Sequence, residues 1–261
     1  MNTPLRLLQL SDPHLFAAPT GQLLGITTRS SFASVLALAL AQPAHAMIMT
    51  GDLVHDASPD GYAALHAALE ATGLPCYCLA GNHDRRDLME TALGAAAVKP
   101  FEIQRLPFWD LVFLDSVICG LSRGHLPPEH LAQLDAWLSD SRVAALIFLH
   151  HHPVPVNSAW LDPIGVENGA ALLHLCTRHP QVKGVIFGHV HQAFESFQGD
   201  CQILGAPSTC IQFKPDSMSF ALDATPPGYR ELVLYPEGQL STRVVRLAHY
   251  PESAQLHSEG Y

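Results

Sequence analysis

The chain has 261 residues, 48% of them hydrophobic, which suffices for one large domain with a real core or two small ones. Its 14 lysines and arginines stand against 24 aspartates and glutamates, a formal charge of −10. With no basic run anywhere, that balance argues against nucleic acid or a membrane surface as a partner held by charge.

In chain order, residues 1–6 lead into an apolar run that Asp12 ends and that is too short for a signal-peptide core. Residues 5–10 then read as a buried strand, 30–41 as a helix and 46–50 as a second strand. Ser58-Pro59 opens another helix, with the proline where its missing N–H matters least. Residues 75–79 form a strand, 85–93 a helix, 111–116 a strand and 128–138 a helix with Leu131, Leu134 and Leu138 on one face. Strand 144–149, helix 168–178 and strand 182–187 complete an alternating section. Beyond His191 only strands are expected, at 193–197, 202–204, 229–234 and 242–247. The pattern predicts one domain over 1–248, a two-sheet core with helices outside and a β-rich part from about 193, followed by a loose polar tail over 249–261. No apolar stretch is long enough for a membrane span, and the six cysteines lack zinc or disulfide spacing, so the expected compartment is the cytoplasm. Nothing in the pattern specifies an oligomeric state.

Five blocks of metal-type ligands follow strand-like runs: Asp12-Pro13-His14, Gly51-Asp52, Gly81-Asn82-His83-Asp84, His150-His151-His152 and Gly188-His189-Val190-His191. In an extended strand end, Asp12 and His14 would point to one side, and so would His189 and His191. Asp52 follows a glycine that permits a sharp turn, and a carboxylate there can bridge two cations. Asn82 adds an oxygen ligand without charge. Imidazoles with carboxylates suit iron, manganese, zinc or cobalt, and the lack of thiolates argues against a closed structural zinc site. Taken singly, each block has a bland reading as a capped turn or solvated loop. The conjunction of all five does not.

The blocks resemble the calcineurin-like metallophosphoesterase superfamily, with its D-x-H, G-D, G-N-H-D/E, later His and G-H-x-H elements. Three further stretches, Leu149 with His150-His151-His152-Pro153, Trp160-Leu161-Asp162 and the run from Pro207 to Pro215, resemble the bacterial class III 3′,5′-cyclic AMP phosphodiesterases. That likeness extends to Ser258-Glu259-Gly260-Tyr261 and so covers nearly the whole chain.

The resemblance implies an α/β (α+β) fold: a four-layer αββα sandwich of two mixed sheets flanked by helices. It implies two divalent cations, Fe2+ or Mn2+ foremost and Zn2+ or Co2+ as alternatives. One cation would be held by Asp12, His14, Asp52 and His191, the other by Asp52, Asn82, His150 and His189, with His151 as the fallback for His150. The implied reaction is hydrolysis of cyclic AMP to 5′-AMP by a hydroxide generated between the cations, lowering intracellular cyclic AMP. Asp52 and His83 carry the catalytic roles, His83 as proton donor to the leaving oxygen or, alternatively, as a hydrogen-bond partner of a ligand. Substrate would meet His14, Asp52, Asn82, His83 and His191, and the base would meet Phe213, with Phe16, Trp160, His151, Asn157, Asp162 and Gln212 as further candidates. Asp84 is expected to orient His83 or a ligand, and Arg85-Arg86 is either a solvated helix start or reaches a phosphate. Two rivals stay open: another phosphodiesterase or monoesterase of the superfamily, acting on glycerophosphodiesters or nucleotide pyrophosphates, and a metal-binding module without chemistry.

Overall fold

Period-two alternation along the strands decides the layering. In a computed structural model describing residues 3–260, β1 (Leu5–Leu10) leads through a hairpin, β2 (Gln22–Leu23) and β3 (Ile26–Thr27), into α1 (Thr28–Ala39). Then come β4 (Ala46–Thr50), α2 (Pro59–Glu70), β5 (Cys76–Leu79) and α3 (Arg86–Leu93). The middle of the chain holds β6 (Phe101–Arg105), β7 (Trp109–Leu114), α4 (Pro128–Asp140), β8 (Ala144–Phe148), α5 (Gly169–Arg178) and β9 (Val182–Phe187). The last third contributes β10 (Glu195–Gln198), β11 (Cys201–Gly205), β12 (Gln212–Phe213), β13 (Leu222–Asp223), β14 (Gly228–Leu234) and β15 (Leu240–Arg246).

One sheet runs β15-β14-β1-β4-β5 and the other β10-β11-β9-β8-β7-β6. Leu5 and Leu7 of β1, Ala46 and Ile48 of β4, Leu111 and Phe113 of β7, and Leu146 and Phe148 of β8 meet in a core between the sheets. Their alternates face outward. Leu8, Leu10, Met47 and Met49 pack under α1, α2 and α3. Val112, Leu114, Ala145 and Ile147 pack under α4 and α5. Each of the larger buried side chains contributes about 1.5–3 kcal/mol, so strands with two apolar faces hold four layers together. This is the expected four-layer sandwich.

The pairing of β1 with β4, of β4 with β5, and of β7, β8, β9 and β11 in series is parallel. The ligand-bearing loops therefore leave the same end of each sheet. The strands of the last third do not form a unit of their own: β10 and β11 extend one sheet, β14 and β15 the other. Edge strand β6 was not anticipated, because Phe-Glu-Ile-Gln-Arg is only partly buried and owes its strand state to antiparallel pairing with β7.

The expected tail over 249–261 is described as far as residue 260. Residues 249–260 carry no helix or strand, yet Tyr250 and Ala254 pack on the core under α4 and α5, and Gln255 N donates to Leu24 O at 2.9 Å. Tyr261 lies outside the described residues.

Candidate metal centre

A net of buried side chains sits beneath the strand ends. Gln9 Nε2 donates to Thr50 Oγ1 at 3.1 Å and to Phe187 O at 3.0 Å, and Thr50 Oγ1 donates to Ser11 Oγ at 2.7 Å. It ties β1, β4 and β9 together just before their ligand blocks begin. Above it the backbone departs from the expected extended geometry. Asp12, His14, Asp52, His189 and His191 all have left-handed φ, between 46° and 66°. Such residues cost about 1–2 kcal/mol each without a glycine, and they persist where the surroundings over-determine them. Asp12 N donates to Gly51 O at 3.1 Å, His14 N to Asp52 O at 3.0 Å, and Asp12 accepts from His189 N at 3.1 Å. Gly51, with φ of 94°, is required twice over, since a Cβ there would lie 2.3 Å from His150 Nδ1.

These loops bring the sequence-predicted ligands together. His14 Nε2 lies 3.3 Å from His191 Nε2 and 3.8 Å from Asp52 Oδ2, and His191 Nε2 lies 3.4 Å from Asp12 Oδ1. On the other side of Asp52, the same Oδ2 is 3.4 Å from His150 Nε2, which is 3.1 Å from Asn82 Oδ1. His189 adjoins His150 with ring centroids 5.0 Å apart. Ligand atoms of Asp12, His14 and His191 fall within 4.8 Å of one another, as do those of Asp12, Asp52 and His150, and of His150, His151 and His189.

Burial prepares these groups as donors. His150 Nδ1 donates to Thr50 O at 2.7 Å and His191 Nδ1 to Ile211 O at 2.9 Å, which turns both Nε2 lone pairs toward the cluster. Burial, followed for His189 by the neighbouring His151, His150 and His152, holds His14 and His189 well below the usual imidazole range. A neutral imidazole is the form that ligates. Burial works against the Asp52 charge, but His150, His83 and His14 outweigh it and hold the carboxyl well below the usual range. Burial likewise opposes the His150 charge, and Asp52 overcomes it, pushing His150 up to about 9, so without a cation its Nε2 holds a proton that a metal would have to displace. Nε2 of His189 and of His151 are buried with no hydrogen-bond partner among the described residues. Orphaned donors of this kind, beside two carboxylates and an amide oxygen, fit divalent cations.

A cavity of about 470 Å³ opens beside the cluster, lined by Asn82, His83 and His189 on one side and Trp160, Phe213 and Phe220 on another. That size suits a nucleotide-sized ligand. His83 is tied by its backbone N to Asp52 Oδ1 at 2.9 Å, and its ring meets His14 edge-on at 5.0 Å. Phe213 reaches the cavity, but one face of its ring already stacks on His191 at 4.1 Å. Trp160 lines the cavity as well. Phe16, His151, Asn157, Asp162 and Gln212 do not. Gln212 is occupied by Ser208 O at 2.8 Å and Arg246 Nη1 at 2.9 Å, while His151 Nδ1 lies 2.8 Å from Ser116 Oγ.

Asp84 accepts from Gly81 N at 2.8 Å, Leu53 N at 3.0 Å and Tyr62 Oη at 2.9 Å, so it staples the loops that carry Asn82 and Asp52 rather than orienting His83. Burial, then repulsion from Asp52, raises it to about 6. Neither arginine of the following pair turns to the cavity: Arg85 pairs with Asp87 at 2.7 Å, and Arg86 pairs with Asp115. Sequence reasoning missed His55, whose Nδ1 is 3.2 Å from His14 Nδ1 and whose ring stacks on His83 at 4.9 Å. It also missed Phe220, Gly120 to Ser122 and Gly260 of the cavity wall. The one available signal was a histidine three residues past Asp52.

The chain is similar to proteins of this geometry. It is 36% identical over 261 residues, 98% of this chain and 95% of the relative, to the 3′,5′-cyclic adenosine monophosphate phosphodiesterase CpdA of Vibrio vulnificus. It is 37% identical to CpdA of Pseudomonas aeruginosa over 268 residues, covering 100% and 98%. Among solved structures, a dimetal phosphatase from Danio rerio shares the fold with a TM-score of 0.68 at 19% identity, covering 94% of this chain and 99% of that one. No helix among the described residues is long and apolar enough to cross a membrane. The family model for calcineurin-like phosphoesterases matches residues 5–193, the span that carries β1 through β9 and every ligand block, and the chain belongs to that family.

Proposed function

We propose that the chain hydrolyses 3′,5′-cyclic AMP to 5′-AMP, lowering the cyclic AMP of a cytoplasm. The observation that carries the chemistry is the position of Asp52 Oδ2, 3.8 Å from His14 Nε2 and 3.4 Å from His150 Nε2. One carboxylate thus serves two ligand sets. Asp12, His14, Asp52 and His191 would hold one divalent cation; Asp52, Asn82, His150 and His189 would hold the other. Iron(II) or manganese(II) suits the mixed imidazole and oxygen donors best, with zinc and cobalt as substitutes. His150 is favoured over His151 because its Nε2 faces both Asp52 and Asn82. The cyclic nucleotide is supported by relatives that are at least 36% identical over nearly the whole chain and bear that substrate in their names.

When bound, a pair of cations neutralises the phosphodiester charge and acidifies a water. The protein supplies the rest. Asp52 fixes the spacing of the two sets. Asn82 adds an oxygen without further negative charge. His14, Asp52, Asn82, His83 and His191 would meet the phosphate, and His83, which with Asn82 lines the cavity, gives a proton to the departing 3′-oxygen. Phe213 and Trp160 form the apolar side for the base.

The test is turnover of cyclic AMP, cyclic GMP, 2′,3′-cyclic AMP and bis(p-nitrophenyl) phosphate after chelation and readdition of iron(II), manganese(II) or zinc(II). Activity on cyclic AMP that vanishes with the chelator and returns with metal is expected. A preference of orders of magnitude for the synthetic diester would transfer the protein to another activity of its family.

A further inference from the structure

The cavity beside the metal cluster has a wall from an unexpected part of the chain. Gly260 lines it together with Asn82, His83 and Trp160. The route to that position is anchored step by step. Glu252 accepts from Thr27 N at 2.6 Å and from Thr27 Oγ1 at 2.7 Å, at the entrance to α1. Tyr250 and Ala254 pack on the core, Gln255 N donates to Leu24 O at 2.9 Å, and Ser258 N donates to Gln255 O at 2.9 Å. The docking turn is shaped for this contact. Leu24 and Gly25 have φ of 47° and 91°, the signs of a two-residue hairpin turn, and a Cβ on Gly25 would lie 2.9 Å from Ser253 O.

We propose that residues 249–260 form a strap whose end completes the wall against which the nucleoside part of the substrate lies, making it a determinant of substrate selection. The argument rests on division of labour in the cavity. The ligand cluster can meet any phosphodiester, since charge and coordination are blind to what the ester carries. Selection must come from walls that touch the base and ribose. Trp160, Phe213 and Phe220 supply apolar surface, and Gly260 brings backbone with hydrogen-bonding groups to the same space. Because the strap is held by Thr27 and Leu24, and no candidate ligand takes part in those contacts, the wall can be altered without substituting the cluster. This inference rests on the cyclic-nucleotide reading for its substrate class, but its test does not depend on cyclic AMP turnover.

The experiment measures inhibition of bis(p-nitrophenyl) phosphate hydrolysis by 5′-AMP and, separately, by inorganic phosphate. Phosphate reports the metal-binding part alone, and the difference between the two reports recognition of the nucleoside. Three proteins are compared: the full chain, a chain stopped after His257, and full-length Glu252→Ala. Stopping after His257 is expected to raise the inhibition constant of 5′-AMP about tenfold while that of phosphate moves less than about twofold. Glu252→Ala should raise the 5′-AMP constant in the same direction by a smaller factor, and it carries the test if the shortened chain fails to fold. Equal changes for the two inhibitors, or an unchanged constant for 5′-AMP, would overturn the proposal. If the full chain leaves cyclic AMP intact yet its 5′-AMP inhibition still depends on the strap, the reaction assigned above fails and the nucleoside wall stands.

Discussion

Two groups of buried polar side chains sit in this molecule, and they are built oppositely. Around Arg230 on β14, every demand is met. Its guanidinium donates to Gly205 O at 2.9 Å and 3.2 Å, to Phe194 O at 3.1 Å, to Glu195 Oε1 at 2.8 Å and to Thr242 Oγ1 at 3.0 Å, from a regular strand. At the strand ends, by contrast, five candidate ligands stand on left-handed backbone, and buried Nε2 atoms of His189 and His151 lack hydrogen-bond partners among the described residues. Burial of polar groups is common to both. What separates a structural cluster from a chemical one is that the first closes its hydrogen bonds internally, while the second keeps donors aimed at a ligand and accepts backbone strain to aim them.

The comparison can be broken by substitution. Asp52→Ala removes the carboxylate proposed to be shared by both ligand sets, and a loss of about 1,000-fold or more in kcat/KM together with loss of bound metal is expected. Retention of both metals, read by elemental analysis, would remove Asp52 from its shared position. Replacing the proposed proton donor, His83→Ala, should lower kcat by about 100-fold with metal content unchanged. Metal loss in that variant would make His83 a holder of ligands instead. Arg230→Met tests the other cluster. It removes both guanidinium donors from the carbonyl of Gly205 and one of the two donors to that of Phe194, so stability in urea should fall by about 2 kcal/mol while metal stoichiometry stays as it was. The smallest effect isolates the strain itself. With chelator present, His14→Gly should unfold at higher urea than His14→Ala by about 1 kcal/mol, because only glycine adopts that φ freely. Equal midpoints would mean the left-handed backbone carries no strain there.

How much was legible in the sequence follows the same division. Apolar runs predicted β1, β4 and β9 to the residue, and Ser58 caps α2 as its position before Pro59 implies, accepting from Gly61 N at 3.1 Å. The ligand blocks could be read because each donor type is chemically distinctive and each follows a strand. Their geometry could not. The i, i+2 argument for Asp12 and His14 assumed extended backbone, whereas the pair is aimed by left-handed φ of 52° and 46° that only the packed loops enforce. Asp84 is read from the sequence as orienting His83 or a ligand, and its hydrogen bonds go to Gly81 N within its own turn and to Leu53 N on the distant loop that carries Asp52. His55 offered only its place three residues past Asp52, and Gly260 only its place in the terminal stretch that carries the family resemblance; what each does follows from what lies beside it in the fold.

Residue chemistry and spacing along the chain determined which groups cluster, which strands are buried on both faces, and which family the protein joins. These are properties of local pattern, set by hydrophobic period and donor type. Tertiary structure alone decided which oxygen of Asp52 faces both ligand sets, which histidine of the triplet turns toward Asn82, and which distant segment closes the cavity. Those outcomes depend on contacts between residues far apart in the chain, where the close approach of packed backbones, rather than any preference of the residue itself, selects the conformation.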